Sequence, residues 1–392
     1  MRLSRAERSL LADWWFTVDR MLLAAILVIA GAGLLLSLAA SPTLAVKRGL
    51  PTYYFVERHL VFSLAGVAVM LAVSTLSPRT VRRLALAVMV AALGMMVLVL
   101  LTGIEINGAR RWLHIAGYSL QPSELAKPAF VVMSAWLFAE AERRPDIPAT
   151  ALACLLYFAF ASLLVLQPDV GQTLLVSLIW CALFLLAGQP FKWFLAFVAA
   201  LSAGLLAAYF TFGYVRWRID RFLNPSLGDT FQTDRALQSF IEGGFFGKGP
   251  GEGTIKTVLP DAHTDFIFAV IAEEYGTLAC LVILGLFALV AIRVFSRQGG
   301  RSDGFARLAG VGLALLFVLQ AIVNMAVNVG LVPAKGITLP FISSGGSSTL
   351  GVGLAMGMLL ALTRSGPDHV HVKKPGFAPK RARMGTRGSW PL

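Results

Sequence analysis

Along the 392 residues, long apolar runs alternate with short polar breaks. The apolar runs occupy Met21 to Ala40, Leu60 to Leu76, Leu84 to Thr102, Glu124 to Ala139 and Ala149 to Leu166. They resume at Val170 to Ala187, Trp193 to Phe212, Phe266 to Ile292, Leu308 to Leu331 and Ser347 to Leu362. A helix of roughly 20 residues crosses the hydrocarbon core of a bilayer, so the pattern predicts an all-α, polytopic bundle of about ten transmembrane helices with both ends on one side. The breaks on the opposite side are Ser41 to His59, Gly103 to Ser123, Gly213 to Asp265 and Val332 to Gly346. The third is by far the longest, and a loop of that size carries function or short structure of its own. Within it, Thr233 to Glu242 has the spacing of an interfacial amphipathic helix, with Leu237, Phe240 and Ile241 as its apolar set.

Composition agrees: mean hydropathy is +0.74, with 57% hydrophobic and only 14% charged residues, which excludes a soluble globule. The net charge of +13 is not gathered with aromatics into a nucleic-acid surface, so no nucleic-acid partner is expected. The charge reports orientation instead. With a cytoplasmic N-terminus, 21 of the 34 Lys and Arg fall inside and 12 outside, with Lys127 in a helix, as the positive-inside rule requires. The expected organisation is a cytoplasmic tail over 1–19 without a cleavage site, a membrane domain over 20–364 whose large extracytoplasmic loop is 213–265, and a basic, disordered cytoplasmic tail over 365–392. Cys154, Cys181 and Cys280 all sit in apolar runs, so no disulfide framework is expected.

Candidate chemistry clusters on the outside and at helix ends. Asp261, His263 and Asp265 stand where the long polar loop enters an apolar run at Phe266. A carboxylate there loses hydration and needs an offset; Thr264 or Asp265 capping the next helix and a functional role are both open. Arg110, Arg111 and Trp112 suit either a phosphate clamp beside a sugar face or an ordinary interfacial belt. Glu124 and Lys127, three residues apart on one helix face, suit a structural salt bridge first and a stabiliser of lipid pyrophosphate second. Asp169 in Gln167-Pro-Asp-Val-Gly171 suits a turn. Gln320, Asn324 and Asn328 recur every four residues, as interhelical glue or as a groove wall. Ser343, Ser344, Gly345, Gly346, Ser347 and Ser348 open the last helix, either as a close-packing start or as an anion-binding nest. No repeat of the inverted transporter kind is present.

In combination, Gly108-Ala-Arg-Arg-Trp112, Gln121-Pro-Ser-Glu-Leu-Ala-Lys127, Gln167-Pro-Asp-Val-Gly171, Pro260-Asp-Ala-His-Thr-Asp-Phe266 and Leu339-Pro-Phe-Ile-Ser-Ser-Gly-Gly-Ser-Ser348 resemble the SEDS family, above all its cell-division branch. The resemblance runs from about Asp19 to Arg364. It implies a ten-helix peptidoglycan glycosyltransferase of the inner membrane, acting at the division septum on lipid II. The implied partners are a class B penicillin-binding transpeptidase, other divisome membrane proteins and membrane lipid. Its essential carboxylate falls on Asp265, and its cavity residues fall on Arg111, Trp112, Glu124 and Lys127, with Ser343 to Ser348 nearby. Asp261 stands where the family commonly has Glu, and Ser344 where an aromatic is common.

Such a transfer needs a base for the acceptor hydroxyl and positive charge at the departing diphosphate. Asp265 is the expected base, ahead of His263, whose alternative part is to orient Asp265. Arg110, Arg111, Lys127 or a divalent cation (Mg or Mn) would face the diphosphate. A lipid II flippase or a non-catalytic division scaffold are the alternatives.

Overall fold

The computed structural model describes residues 10–364 except 48, 107–108, 116, 214, 217–219, 221–230, 299–302 and 334–335. Most of the expected N-terminal tail (1–9), the basic tail 365–392 and part of the 213–265 loop lie outside the described residues. A short α1 (Leu10–Thr17) leads into α2 (Arg20–Lys47), α3 (Tyr54–Ser74), α4 (Pro78–Thr102), α5 (Pro122–Arg143), α6 (Ala149–Leu166), α7 (Val170–Leu186) and α8 (Phe191–Thr211). After α9 (Phe231–Gly243) come α10 (Ile267–Gln298), α11 (Gly304–Asn328) and α12 (Gly346–Thr363). Among the described residues, the helices of 17 residues or more are the ten that the apolar runs predict.

Local sequence sets the helix starts. Ser77 accepts from Thr80 N at 3.3 Å and Pro78 opens α4; Asp169 accepts from Gln172 N at 3.4 Å before α7; Asp303 accepts from Phe305 N at 3.1 Å before α11. Each satisfies an N–H that has no partner within its own helix. The two ends of the ten-helix stretch meet, because Arg364 donates to Thr17 Oγ1 and to Thr75 O, each at 2.9 Å.

The centre of the bundle is α5, α11 and α12, whose residues are buried around most of their circumference. Glycines allow this closeness. A Cβ at Gly353 would lie 2.3 Å from Gly66 O on α3, and one at Gly351 would lie 2.5 Å from Glu124 O on α5. By contrast α8 has no buried residue and faces outward along its length.

Two features depart from plain spanning helices. The break between α4 and α5 folds into a three-stranded antiparallel meander, β1 (Ile104–Ile106), β2 (Ala109–Ile115) and β3 (Tyr118–Leu120), pairing Glu105 with Arg110 and His114 with Ser119. The run expected as one helix from Phe266 is interrupted inside α10 at Gly276, with φ 77° and ψ 174°, a conformation confined almost entirely to glycine. Backbone groups freed by the interruption are met by the glycine-rich stretch after α9. Lys248 N and Gly249 N donate to Glu273 O and Glu274 O, while Thr277 N and Leu278 N donate to Gly244 O and Phe245 O. That exchange lets irregular backbone persist at the membrane boundary.

Candidate functional site

The site is assembled from side chains on α5, α7 and α11, the segment before α12, and the turn before α10. On α5, Lys127 and Glu124 form an ion pair at 2.8 Å, with side chains 2% and 5% exposed. Each partner is also hydrogen-bonded across the bundle: Gln172 of α7 donates to Glu124 at 2.8 Å, and Lys127 donates to Gln320 of α11 at 3.2 Å. Gln320 donates to Thr338 O at 3.2 Å, and Thr338 Oγ1 shares a 2.5 Å hydrogen bond with Ser348. A void of about 10 Å³ beside Glu124, Lys127 and Gln320 has room for no more than about one water. Burial of a pair this well bonded is tolerated because each charge keeps its partners.

A second branch starts on β2. Successive strand residues face opposite sides, so the two arginines part company. Arg110 is exposed and pairs with Glu105 at 3.5 Å. Arg111 turns inward, donating to Gln167 O at 3.2 Å and to Pro168 O, and lies 3.7 Å from Asp169. Burial pushes the Asp169 carboxyl up from the ordinary carboxylate range, and the Arg111 guanidinium opposes it. Gln121 donates to Asp169 at 3.3 Å, and its backbone N–H donates to Ser347 Oγ at 3.0 Å. A double clamp by Arg110 and Arg111 on one phosphate therefore does not form. Arg111 holds the turn between α6 and α7, and Trp112 stands half-buried beside it on β2, opposite Ile104.

The turn carrying Asp265 is fixed from below. Asn324 and Asn328 of α11 each donate from Nδ2 to Asp265 O at 2.9 Å. Asn324 Nδ2 donates as well to Ile337 O at 2.7 Å, and Asn328 Oδ1 accepts from Ala269 N at 3.0 Å. The cap expected from Thr264 or Asp265 is thus supplied to Ala269 by another helix. Asp265 itself is partly exposed, with Gly336 (φ 66°) beside its carboxylate: a Cβ there would lie 3.7 Å from Oδ2. Asp261 is exposed at φ 53°. His263 is buried, its ring centroid 4.9 Å from that of Phe55, and its carbonyl accepts from Ser344 N at 3.0 Å.

The serine segment is mostly spent on the protein itself. Ser343 Oγ donates to Thr264 O at 2.6 Å and accepts from Leu339 N at 2.8 Å; Ser347 Oγ donates to Ser119 O at 3.1 Å. Gly345 precedes α12 and accepts from Thr349 N, and Gly346 packs so tightly that a Cβ would meet the Phe62 ring at 2.8 Å. Ser344 Oγ is the hydroxyl of this segment that is buried with no protein partner. Polar contacts therefore pass from Arg111 by the ion-paired Asp169, Gln121 and Ser347 to the α12 start, and from Glu124–Lys127 by Gln320 and Thr338 to the same place, with Arg110 outside both paths.

Sequence reasoning missed Gln172 and Thr338, single uncharged residues with no pattern to mark them. It also passed over Glu273 and Glu274, although two acids inside an apolar run are a signal in themselves. Glu273 accepts from Thr254 N, Ile255 N and Lys256 N at 2.6, 2.8 and 3.1 Å, and Glu274 pairs with Lys256, so both tie the loop to α10. Among the described residues, no three His, Cys, Asp or Glu converge as a metal site.

Residues 19–366 match the family model FtsW/RodA/SpoVE, described as cell cycle protein. A probable peptidoglycan glycosyltransferase FtsW of Caulobacter vibrioides is 44% identical over 365 residues, covering 93% of this chain and 94% of that one. A protein of the same description from Trichlorobacter lovleyi is 34% identical over 359 residues, with 88% and 93% covered. Among solved structures, a chain from work on structural coordination of polymerization and crosslinking by a peptidoglycan synthase complex superposes with a TM-score of 0.72 at 28% identity, covering 89% of this chain and 98% of that one. The Thermus thermophilus rod shape determining protein RodA gives 0.66 at 27%, covering 89% and 97%.

Proposed function

The chain belongs to the FtsW/RodA/SpoVE family of cell cycle proteins, and from that premise and the site we propose a membrane-embedded peptidoglycan glycosyltransferase of cell division that polymerises lipid II. The observation that carries the reading is the polar path that links the buried Glu124–Lys127 pair, by Gln320, the 337–338 backbone and Asn324, to the turn bearing Asp265, at the apolar centre of the bundle. Hydrogen bonds offset much of the cost of burying these polar groups, and ionisable groups kept at such depth mark a functional site, here one suited to an anionic, lipid-borne substrate.

Asp265 takes the proton of the acceptor GlcNAc 4-hydroxyl as that oxygen attacks C1 of the donor MurNAc. The C1–O bond to undecaprenyl pyrophosphate breaks, and the diphosphate leaves with the electron pair. One displacement inverts the anomeric centre and needs no second carboxylate as nucleophile. Lys127, with Ser344 and the α12 start, supplies positive potential and donors on the diphosphate side. Arg111 acts on the same side by holding the 167–169 turn. That turn borders an apolar groove of about 410 Å³ between α6, α7 and α8, lined by Phe158, Pro168, Leu174, Phe197 and Leu201 among others, which suits part of the isoprenoid chain. A divalent ion arriving with the substrate would neutralise diphosphate charge. Asp265 would be the carboxylate to hold it together with the diphosphate, a donor set that suits Mg, which is usually held by few carboxylates and by substrate phosphates.

The partner is a crosslinking transpeptidase, and the protein works with other division proteins at the septum with both termini in the cytoplasm. Purified Asp265→Asn with its transpeptidase should give no glycan ladder from labelled lipid II; a ladder equal to wild type would reject the assignment. Translocation of lipid II without a ladder in the wild-type protein would favour a flippase instead.

A further inference from the structure

In a regular helix the N–H of residue 269 donates to the carbonyl of residue 265. Here that bond is replaced. Ala269 N donates to Asn328 Oδ1 at 3.0 Å and, in the tighter i to i+3 spacing, to Phe266 O at 3.1 Å, while Asp265 O accepts from Asn328 Nδ2 at 2.9 Å. One carboxamide from α11 thus stands between two groups that would otherwise close on each other, satisfying both. Asn324, one turn earlier on the same face, gives Asp265 O its second hydrogen bond and ties it to Ile337 O on the segment before α12. The second Nδ2 hydrogen of Asn328 goes to the backbone carbonyl of Asn324 at 2.9 Å, with Asn324 Oδ1 at 3.4 Å, so Asn328 is braced by the turn that carries Asn324. Asn328 and Asn324 are 0% and 1% exposed.

We propose that Asn328, braced by Asn324, is a positioning residue that wedges open the first turn of α10 so that Asp265 stays outside the helix, at the rim where an acceptor sugar arrives. The inference rests on the role of Asp265 given above. Simple interhelical glue would need only a bond between two helices. This amide instead sits within the hydrogen bond whose closure would wind Asp265 into α10. Without the wedge, Ala269 N and Asp265 O pair directly, the helix remains hydrogen-bonded, and the carboxylate moves. A displacement of about 1 Å in a reacting group can cost on the order of 100-fold in rate.

The test compares wild type, Asn328→Leu, Asn324→Ala and Asp265→Asn as full-length protein with its transpeptidase, reading kcat and KM for lipid II polymerisation beside the thermal midpoint in detergent. Leu keeps the γ-branched outline of Asn at larger volume and carries no amide, which is why foldedness is read beside activity. The expected result is a loss of about 100-fold in kcat for Asn328→Leu and about tenfold for Asn324→Ala, with KM within about twofold and each protein folded. A kcat within about threefold of wild type in folded Asn328→Leu overturns the proposal, as does a rise in KM that accounts for the whole loss. Should Asn328→Leu not be recovered folded, Asn324→Ala carries the test, and a wild-type kcat there overturns the proposal. An inactive Asp265→Asn beside a fully active Asn328→Leu removes the wedge alone; an active Asp265→Asn removes the carboxylate and the wedge with it.

Discussion

At Lys127 and Glu124 the site holds two opposite charges where water hardly reaches, and each is worth keeping only while the other is present. Replacing Lys127 by Met strands the Glu124 carboxylate with Gln172 as its remaining polar neighbour, and removal of one member of a buried pair typically costs about 3 to 5 kcal/mol. The double change Lys127→Met with Glu124→Gln removes both charges at similar volume and should recover most of that loss. Thermal unfolding in detergent is expected to show the single variant well below wild type and the double variant close to it, while both fail to polymerise lipid II. Recovery of polymerisation in the double variant would mean that the ammonium has no part in the reaction. Arg110 and Arg111 show why such roles are hard to read from adjacency: neighbours in sequence, they point to opposite faces of β2, and the inward one is committed to backbone carbonyls of the next turn.

At the scale of elements, the glycine-rich stretch over 243–253 and the break in α10 fit each other as one piece. A Cβ at Gly276 would lie 2.3 Å from Phe245 O, on a backbone that L residues avoid. Gly276→Ala should therefore cost about 1 to 3 kcal/mol from the backbone alone, with the clash added, and should lower the thermal midpoint together with activity; an unchanged midpoint would show that the break is not held by glycine. Sequence made the ten helices plain, because apolar runs of spanning length depend on composition alone. The interruption was harder to see: the run from Phe266 to Ile292 dips only at Glu273 and Glu274, and the fit of Gly276 to the 243–249 backbone depends on residues distant in sequence. The meander of β1 to β3 was equally hidden, since strands of three residues carry little periodicity. The candidate site was legible where charge enters an apolar run, at Asp265, Glu124 and Lys127. It was not legible at Gln172 or Thr338, whose importance arises from neighbours that are distant in sequence.

For the whole molecule, Arg364 closes the ring of helices by bonding to the ends of α1 and α3, so the first and last spans share a side. The balance of basic residues supports the proposal that this side is cytoplasmic. Single cysteines at Asp146 and at Glu105 should be labelled by an impermeant thiol reagent from the inside and from the outside respectively, in right-side-out and inverted vesicles; the reverse would invert the site. A fluorescent fusion should gather at the septum during constriction, and uniform lateral staining would point to elongation instead. The interruption at Gly276 has an effect at this scale too. Ile267 to Glu274, before it, are buried in the protein, whereas 277–298 present Leu281, Val282 and Ile292 to lipid. A helix in one piece would carry every tilt imposed by bilayer thickness straight to its tip. Broken where it is, α10 divides into a limb fastened to protein and a limb bathed in hydrocarbon, so turnover is expected to vary little across bilayers of different thickness, as assays in vesicles of graded acyl-chain length would check.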